Sequence, residues 1–286
     1  MKIIRKGKDS QSGFSLIELM TVLVILTLIM GVVFGQLSRV QKRYKTEEAK
    51  LDLTQESREF MDQIMRDLRQ SGFPNQKMYA LNVLAATPAN DYRNAAGLVK
   101  VSNTELWFEG DVDGDGQIDS VHYMMFDSTG AAITSTSTCL CSIKRSQVVK
   151  VDGTAPMSQA TNYGTELENV VNSAGSGGAG TNGSLAISGN SIMVSATGAT
   201  ASVANDTIYA GLKPAPVFVA YDKSGNLVTL PVDISTLAGA NMMQTIRTVK
   251  VTLNVLSKGS GVDLQNQMRP ASSMTATARL NATSTF

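Results

Sequence analysis

The nine-residue stretch DVDGDGQID has the clearest chemical signature in the sequence. Its carboxylates recur at Asp111, Asp113, Asp115 and Asp119. Hard cations such as calcium bind six to eight oxygen ligands in flexible geometry, and alternating carboxylates in a tight turn supply such ligands. The backbone carbonyl of Gln117 adds one more oxygen. The spacing therefore predicts a structural calcium site formed by these five residues.

The flanking sequence separates this stretch from a helix–loop–helix calcium sensor. An EF-hand has a bidentate glutamate at position 12 of its loop, where this chain has His122. Strand-like segments flank the stretch, which resembles the D-x-D-x-D-G-x-x-D loops of extracellular β-proteins. The alternative is an acidic hairpin turn, since Asp and Gly are common turn residues. Closely spaced carboxylates repel one another without a cation, which favours calcium, whereas magnesium demands a stricter octahedral geometry.

Glu18 is a second residue that needs a chemical explanation, because it is the only charged residue between Phe14 and Gly35. A helix of this length spans roughly 33 Å, which is enough to cross a bilayer. A carboxylate within hydrocarbon is unfavourable by roughly 3 kcal/mol. Glu18 therefore needs a partner or a function.

The residues around Glu18 closely resemble the class III signal of type IV prepilins and pseudopilins. The signature consists of a short basic leader, Gly13, Phe14, the letters SLIE and a long apolar run. The resemblance implies that prepilin peptidase cuts after Gly13 on the cytoplasmic side and methylates the amine of Phe14. Glu18 then becomes the fifth residue of the mature chain, where it can pair with the terminal amine of another subunit in a filament. The alternatives are a secretory signal peptide, whose small-x-small cleavage site is missing here, and a signal anchor with a chance glutamate.

One long helix is expected to carry this segment. No proline precedes Pro74, so the helix is predicted to run from Phe14 to about Gly72. Residues 14–37 are its predicted membrane-spanning half and residues 38–72 its amphipathic half. A stripe at helical spacing is predicted to pack against the head, with a partner helix as the alternative; it comprises Leu53, Ser57, Phe60, Met61, Ile64, Met65 and Leu68. The end of the helix, MDQIMRDLRQSGFP, also resembles that of minor pilins of the PilW family and of J-type secretion pseudopilins.

Residues 73–286 are predicted to form a β-rich head. The segments TELWFEG and SVHYMMFD flank the acidic stretch and predict a hairpin, and PVFVAYDKSGNLVTL predicts a second hairpin. TIRTVKVTLNVLS predicts a half-buried strand, and SSMTATARLNAT the last strand. An antiparallel sheet packed on a long N-terminal helix gives an α+β, pilin-like fold.

Residues 158–205 interrupt this pattern, because Ala, Ser, Gly, Thr and Asn dominate them. Such a composition buries little apolar area and predicts an exposed, flexible insertion. A tolerated surface insertion is favoured over a partner-binding loop at the tip. Ser191–Val203 contains enough β-branched residues to add a strand or two.

Cys139 and Cys141 are the only cysteines. An oxidising compartment favours their pairing, yet a bond across one extended residue is strained, because the preferred disulfide geometry is narrow. A tight-turn disulfide and bonds to another protein are both open. Zinc is not expected, because these thiols and the single histidine, His122, do not complete a tetrahedral site. No nucleophile elbow, phosphate loop or metalloprotease motif occurs, so no catalytic residue is assigned and an enzyme is not expected.

The charge distribution excludes one class of partner. The formal net charge is +1, and no basic face is evident outside the leader, so a nucleic-acid partner is not expected. We predict a minor type IV pilin similar to the PilW family. Its implied partners are prepilin peptidase, other pilins or pseudopilins, the inner-membrane assembly platform and membrane lipid.

The predicted location is the inner membrane, crossed once with the head in the periplasm, and afterwards a pilus or pseudopilus filament. The closest alternative is a minor pseudopilin of a type II secretion system. A calcium-dependent adhesin at a pilus tip and a membrane-anchored envelope enzyme are alternatives from other functional classes.

Overall fold

The computed structural model describes residues 15–80, 83–85, 87–127, 129–133, 141–172, 184–188, 191–195, 215–257 and 271–280. The predicted leader, residues 1–13, lies outside these ranges. The chain divides into two units, Met1–Lys45 and Thr46–Phe286, and each is described by itself.

Helix α1, Leu16–Gln70, begins in the first unit and ends in the second. Within the first unit, every large apolar side chain from Leu16 to Val40 is between 44% and 76% exposed. This part of α1 is long and apolar enough to cross a membrane. An apolar helix that no other protein element covers is suited to a hydrocarbon environment.

In the second unit, the last turns of α1 pack against the head. The predicted stripe is confirmed, because all of its members are buried: Leu53, Ser57, Phe60, Met61, Ile64, Met65 and Leu68. They join one hydrophobic core with side chains from the sheet. The helix ends where Gly72 adopts a φ of +77°, a left-handed conformation that suits glycine after a helix end.

The described part of the head contains eleven strands and one further helix. The strands are β1 (Leu98–Val101), β2 (Glu105–Gly110), β3 (Asp119–Phe126), β4 (Cys141–Val149), β5 (Tyr163–Val170), β6 (Ser184–Ser188), β7 (Ser191–Ser195), β8 (Phe218–Asp222), β9 (Val232–Asp233), β10 (Ile246–Leu256) and β11 (Ala271–Arg279). Helix α2 is Leu237–Thr245, and short 3₁₀ helices are Gln76–Met78, Pro88–Asn90 and Pro156–Ser158.

Nine of these strands form one antiparallel sheet in the order β11-β10-β5-β4-β3-β2-β1-β9, with β8 paired to β10. Strands β6 and β7 form a separate two-stranded sheet. A long N-terminal helix followed by an antiparallel sheet confirms the predicted α+β, pilin-like fold. The hairpin predicted around the acidic stretch is β2–β3, and the predicted last strand is β11.

The predicted insertion at residues 158–205 needs correction at its start. Strand β5 lies inside the sheet, between β4 and β10. The composition of β5 gave no strand signal, because only Leu167 and Val170 bury apolar side chains. Pairing with the neighbouring strands stabilises the rest of β5. Within Ser191–Val203, the expected extra strand is β7; residues 173–183, 189–190 and 196–205 lie outside the described part of the chain.

Two further strand predictions are only partly right. Beyond the Ser-Gly-Asn turn, the second predicted hairpin forms a single bridge between Tyr221 and Leu227, because β8 pairs with β10 instead. Strand β10 is also more buried than predicted. Its polar residues Thr252 and Asn254 are buried, and Asn172 hydrogen-bonds to the backbone of both, at 2.8 Å each.

Candidate functional site

The acidic stretch forms the loop between β2 and β3. The two strands pair from Glu105 opposite Met124 to Gly110 opposite Asp119, so the loop begins and ends at the same end of the hairpin. Val112 and Ile118 are buried and anchor both arms of the loop in the head. The intervening carboxylates are thereby held at the surface on a rigid base.

Three of the predicted ligands converge. One carboxylate oxygen from each of Asp111, Asp113 and Asp115 lies within 4.8 Å of the others. Two glycines with left-handed φ angles, Gly114 at +77° and Gly116 at +86°, turn the backbone around them. Their N–H groups donate to the two oxygens of Asp111, at 2.8 and 3.2 Å.

The fourth carboxylate, Asp119, is buried and lies outside this cluster of three, and a residue that the sequence analysis missed connects it to Asp113. The side-chain amide of Gln147 donates to Asp119 Oδ2 at 2.9 Å and to Asp113 Oδ2 at 3.3 Å. Gln147 lies on β4, opposite Val121 of β3, so only the strand pairing brings it to the loop. Gln117 donates both its backbone N–H and its side-chain amide to Asp115, at 2.7 and 2.9 Å.

Two carboxylates of the loop, Asp115 and Asp119, have perturbed pKa values. Burial, with added repulsion from Asp113 and Asp115, raises the pKa of Asp119 to about 6. The hydrogen bonds that Asp115 accepts from Gln117 lower the pKa of Asp115. The carboxylate oxygens of Asp111, Asp113 and Asp115 therefore suit a hard cation. They would coordinate the cation, and its charge would offset their mutual repulsion.

The crowding around Asp119 leads to a pH-dependent stability. The folded state binds the proton of the Asp119 carboxyl more tightly than an ordinary aspartate of pKa 3.8 does. The stability that this protonation contributes is complete below pH 3.8 and disappears as the pH rises through about 6. The variant Asp119→Asn is expected to flatten this part of the profile. The measurement is the Tm of the head as a function of pH between 4 and 7, in the presence of a chelator. The control is Asp62→Asn, which removes an exposed carboxylate on α1. Parallel profiles for Asp119→Asn and the wild type would contradict the assignment.

The acidic loop also contacts the end of α1. The backbone at Gly110 approaches the carbonyl of Gln70 so closely that a Cβ atom at this position would clash. Asp111 N donates to Phe73 O at 2.9 Å, and Gly72 N donates to Glu109 O at 2.8 Å. The loop, strand β2 and the helix end thus form one connected region.

Two buried ion pairs stabilise the head, and the sequence pattern indicated neither. Asp67 on α1 accepts from Tyr123 Oη at 2.7 Å and forms an ion pair with Arg145 at 2.9 Å. Burial, followed by the charge of Asp67, raises the pKa of Tyr123. Lys150 and Glu109 form the second pair at 2.6 Å, and both side chains are fully buried.

His122 is a strand residue of β3, as predicted, and lies within a network on the sheet. Its ring stacks on Trp107 with centroids 4.5 Å apart. Its two nitrogens lie 2.9 Å from Glu105 Oε1 and 2.7 Å from Tyr163 Oη. Both ring nitrogens are therefore engaged within the fold.

The remaining predicted residues lie in three places. Cys141 is buried at the start of β4, whereas Cys139 lies outside the described residues, so the bond between them stays a prediction. Gly13 and Phe14 also lie outside the described part of the chain. Glu18 lies in the first turn of α1, where its carboxylate accepts from Ser15 N at 3.4 Å.

This contact gives Glu18 a local role that the sequence analysis overlooked. Ser15 and Glu18 fit the S-x-x-E pattern of a capping box, in which the acidic side chain accepts from the N–H of the residue before the helix. A negative charge in the first turn also interacts favourably with the helix dipole. Capping is therefore a local role of this carboxylate, separate from the subunit pairing that the resemblance predicts.

Comparison with known proteins identifies the N-terminal segment. Residues 8–34 match the family model described as the prokaryotic N-terminal methylation motif. The match confirms the resemblance to the class III signal and covers Gly13, Phe14 and Glu18. It supports a type IV pilin or pseudopilin that is processed by prepilin peptidase and assembles with other pilins. No curated protein and no solved structure matches the chain.

Proposed function

Because the chain begins with the methylation motif of type IV pilins and pseudopilins, we propose that it is a minor type IV pilin, similar to the PilW family, that takes part in pilus assembly, priming or tip formation. The observation that carries this proposal is the motif at residues 8–34, continuous with an exposed apolar helix. Such a helix suits a subunit that is held in the membrane first and in a filament afterwards.

The assignment to a minor subunit is supported by the size of the head. The second unit extends from Thr46 to Phe286 and contains a nine-stranded sheet. A bulky head suits a subunit present in few copies better than one that repeats along a shaft. The similarity of the helix end, residues 61–74, to the PilW family supports the same choice.

The proposed topology follows from the site of processing. Cleavage after Gly13 on the cytoplasmic side places the leader in the cytoplasm, and a single span then places the head in the periplasm. Basic residues flank both ends of the span, so charge alone does not set the orientation. The inner-membrane assembly platform and other pilins are the proposed partners in the transfer from membrane to filament.

We also propose that the acidic loop binds calcium in a structural role and that the protein is not an enzyme. The convergence of Asp111, Asp113 and Asp115 within 4.8 Å supports the calcium site. A cation held there would link the β2–β3 hairpin to the end of α1 through the contacts of Gly110 and Asp111. The expected gain is rigidity of the head outside the cytoplasm, where calcium is plentiful.

Calcium is expected to raise the thermal stability of the head. For a Kd of about 0.1 mM, which is typical of extracellular modules, 10 mM calcium adds about 2.7 kcal/mol. For a domain of this size, that corresponds to a rise in Tm of roughly 5–10 °C. The variants Asp113→Asn and Asp115→Asn are expected to lose most of this rise, which scanning calorimetry with calcium and with chelator measures.

The exposed helix variant Asp62→Asn, which removes one carboxylate away from the loop, is the control and should retain the full calcium response. Equal Tm values with calcium and with chelator for the wild type would show that the loop is only an acidic turn.

Mass spectrometry of the N-terminus tests the proposed function directly. A methylated Phe14 terminus at low abundance in sheared surface filaments is the expected result. A chain that still begins at Met1 in every fraction, in cells with an active prepilin peptidase, would exclude the pilin assignment.

The same experiment separates the closest alternative. A pseudopilin of a type II secretion system would have the same methylated Phe14, but it would remain in the envelope fraction and be absent from surface filaments.

A further inference from the structure

The two ends of the strand order from β11 to β9 differ in how well they are protected against pairing with other chains. At one edge, β9 is only two residues long, follows Pro231 and contains Asp233. Short strands, prolines and charges are the features by which natural sheets prevent edge-to-edge association. At the other edge, β11 has nine residues and pairs with β10 along its whole length without a register shift.

Strand β11 has none of these protective features over most of its length. From Ala271 to Ala278 it contains no proline and no charged residue, and Arg279 is its only charge. Its continuous ladder with β10 includes no bulge. No strand in the described part of the chain pairs with its outer edge. The backbone N–H and C=O groups along that edge therefore form an uninterrupted template for another strand.

The two faces of β11 determine which strand would fit beside it. On one face, Ala278 is buried and Met274 and Ala276 pack, partly buried, against the core. On the other face, Ser273 donates to Asn254 Oδ1 at 2.8 Å within a surface of hydroxyl groups. An added strand with apolar residues on the first face and small polar residues on the second would extend both layers.

We propose that the outer edge of β11 binds an extended segment of a different pilin-class subunit by strand addition. Backbone hydrogen bonds supply the affinity, and the alternation of apolar and small polar side chains supplies the specificity. The class of partner rests on the proposed function, whereas the open edge does not depend on it.

A second copy of this chain that offers its own β11 in antiparallel orientation is the wrong occupant for geometric reasons. Two β11 strands that pair antiparallel are related by a two-fold axis normal to the sheet. That axis reverses the direction of the α1 segment Thr46–Gln70 from one copy to the other. Subunits whose N-terminal helices lie in one membrane or one filament need these helices to run in the same direction. An antiparallel β11–β11 pair is therefore excluded, and we assign the partner segment to another protein.

Site-specific photo-crosslinking in the full-length protein tests this surface. A benzophenone amino acid replaces Thr277 on the exposed face of β11, and Lys223, in an exposed turn, is the control position. The expected result is an adduct from position 277, and not from position 223, with a second protein that carries the N-terminal methylation motif. Peptide mapping should place the adduct in an alternating apolar and polar segment of that protein.

Two further variants, each made in the position-277 background, connect the adduct to the edge. Ala276→Lys places an ammonium group on the core face of the strand, and Thr275→Lys places one on the hydroxyl face. Each is expected to reduce the adduct about tenfold, because edge lysines oppose strand addition. The matched control, Asn241→Lys on the exposed side of α2, should leave it unchanged. The Tm of each purified variant verifies folding.

Three results would overturn the proposal. They are no adduct at position 277, an adduct with a segment of this same chain or a second copy of it, and an adduct that both edge lysines leave intact. Failure of the proposed function is separately visible, because an unprocessed chain that begins at Met1 is detected before any crosslink is made.

Discussion

The variant Glu18→Gln is expected to be excluded from filaments as completely as Glu18→Ala. The proposed pair joins the Glu18 carboxylate of one subunit to the Phe14 amine of another within an apolar environment. Removal of one partner from a buried pair costs about 3–5 kcal/mol, because the remaining charge is left without compensation. A cost of that size reduces incorporation by a factor of roughly 100 or more.

Glutamine is the informative substitution because the structure gives Glu18 a second, local role. Its carboxylate accepts from Ser15 N in a capping box, and glutamine serves in the same position of that motif. Glu18→Gln therefore preserves the start of the helix and removes only the charge, whereas Glu18→Ala removes both. Two equally defective variants would identify charge pairing as the function of Glu18.

The measurement is the amount of the protein in sheared filaments relative to the membrane fraction. Thr21→Ser, close to Glu18 on the same helix, is the control and is expected to incorporate normally. If Glu18→Gln incorporates like the wild type while Glu18→Ala does not, capping alone explains the residue and the charge-pair account is wrong.

The variant Lys150→Met is expected to destabilise the head by about 3–5 kcal/mol, the typical cost of removing one partner of a buried ion pair. Lys150 Nζ donates to Glu109 Oε2 and to two backbone carbonyls, those of Ala89 and Asn94, at 2.6–2.7 Å. Methionine has a similar shape but no donor, so all three oxygens lose the ammonium group at once, and Glu109 Oε2 keeps only the N–H of Ala96, at 3.0 Å. Burial already raises the pKa of Glu109, and the loss of Lys150 removes the charge that opposes this rise.

Guanidinium unfolding of residues 46–286 measures the effect, since this unit contains the whole hydrophobic core. In a parallel thermal unfolding experiment, the expected fall in Tm is roughly 10 °C. Lys223→Met, at an exposed turn, is the matched control and should lie within about 0.5 kcal/mol of the wild type. The double variant Lys150→Met/Glu109→Met is expected to recover part of the loss, because an apolar pair replaces the unpaired carboxylate. A double variant less stable than Lys150→Met would contradict this account.

Local patterns in the sequence predicted the features that depend on local physics. The stripe from Leu53 to Leu68 follows the helical period, and the turn residues of the acidic loop lie between two strand-like segments, so both were accessible from spacing. The S-x-x-E pattern at Ser15 was equally accessible, although the membrane context of Glu18 concealed it. In each case, the residues that interact are close together in the chain.

The features that escaped prediction depend on contacts between distant segments. Gln147 reaches Asp119 across 28 positions, and Arg145 reaches Asp67 across 78. Neither residue has a local signature, because an isolated Gln or Arg in a strand resembles any solvent-facing residue. Strand β5 was missed for the related reason that its neighbours, rather than its own side chains, determine its place in the sheet.

The contact between α1 and the sheet has a mechanical consequence. Asp67 binds Tyr123 and Arg145 on two adjacent strands, and the chain leaving the helix is bonded to β2 through Gly72. A pulling force applied along α1 would therefore load the sheet in shear, across many side chains at once, instead of peeling away one loop. Bonds loaded together share the force and rupture together, so the joint resists far more tension than any single bond within it. The head would thus stay attached to a helix under tension, which the proposed transfer of the subunit from membrane to filament requires.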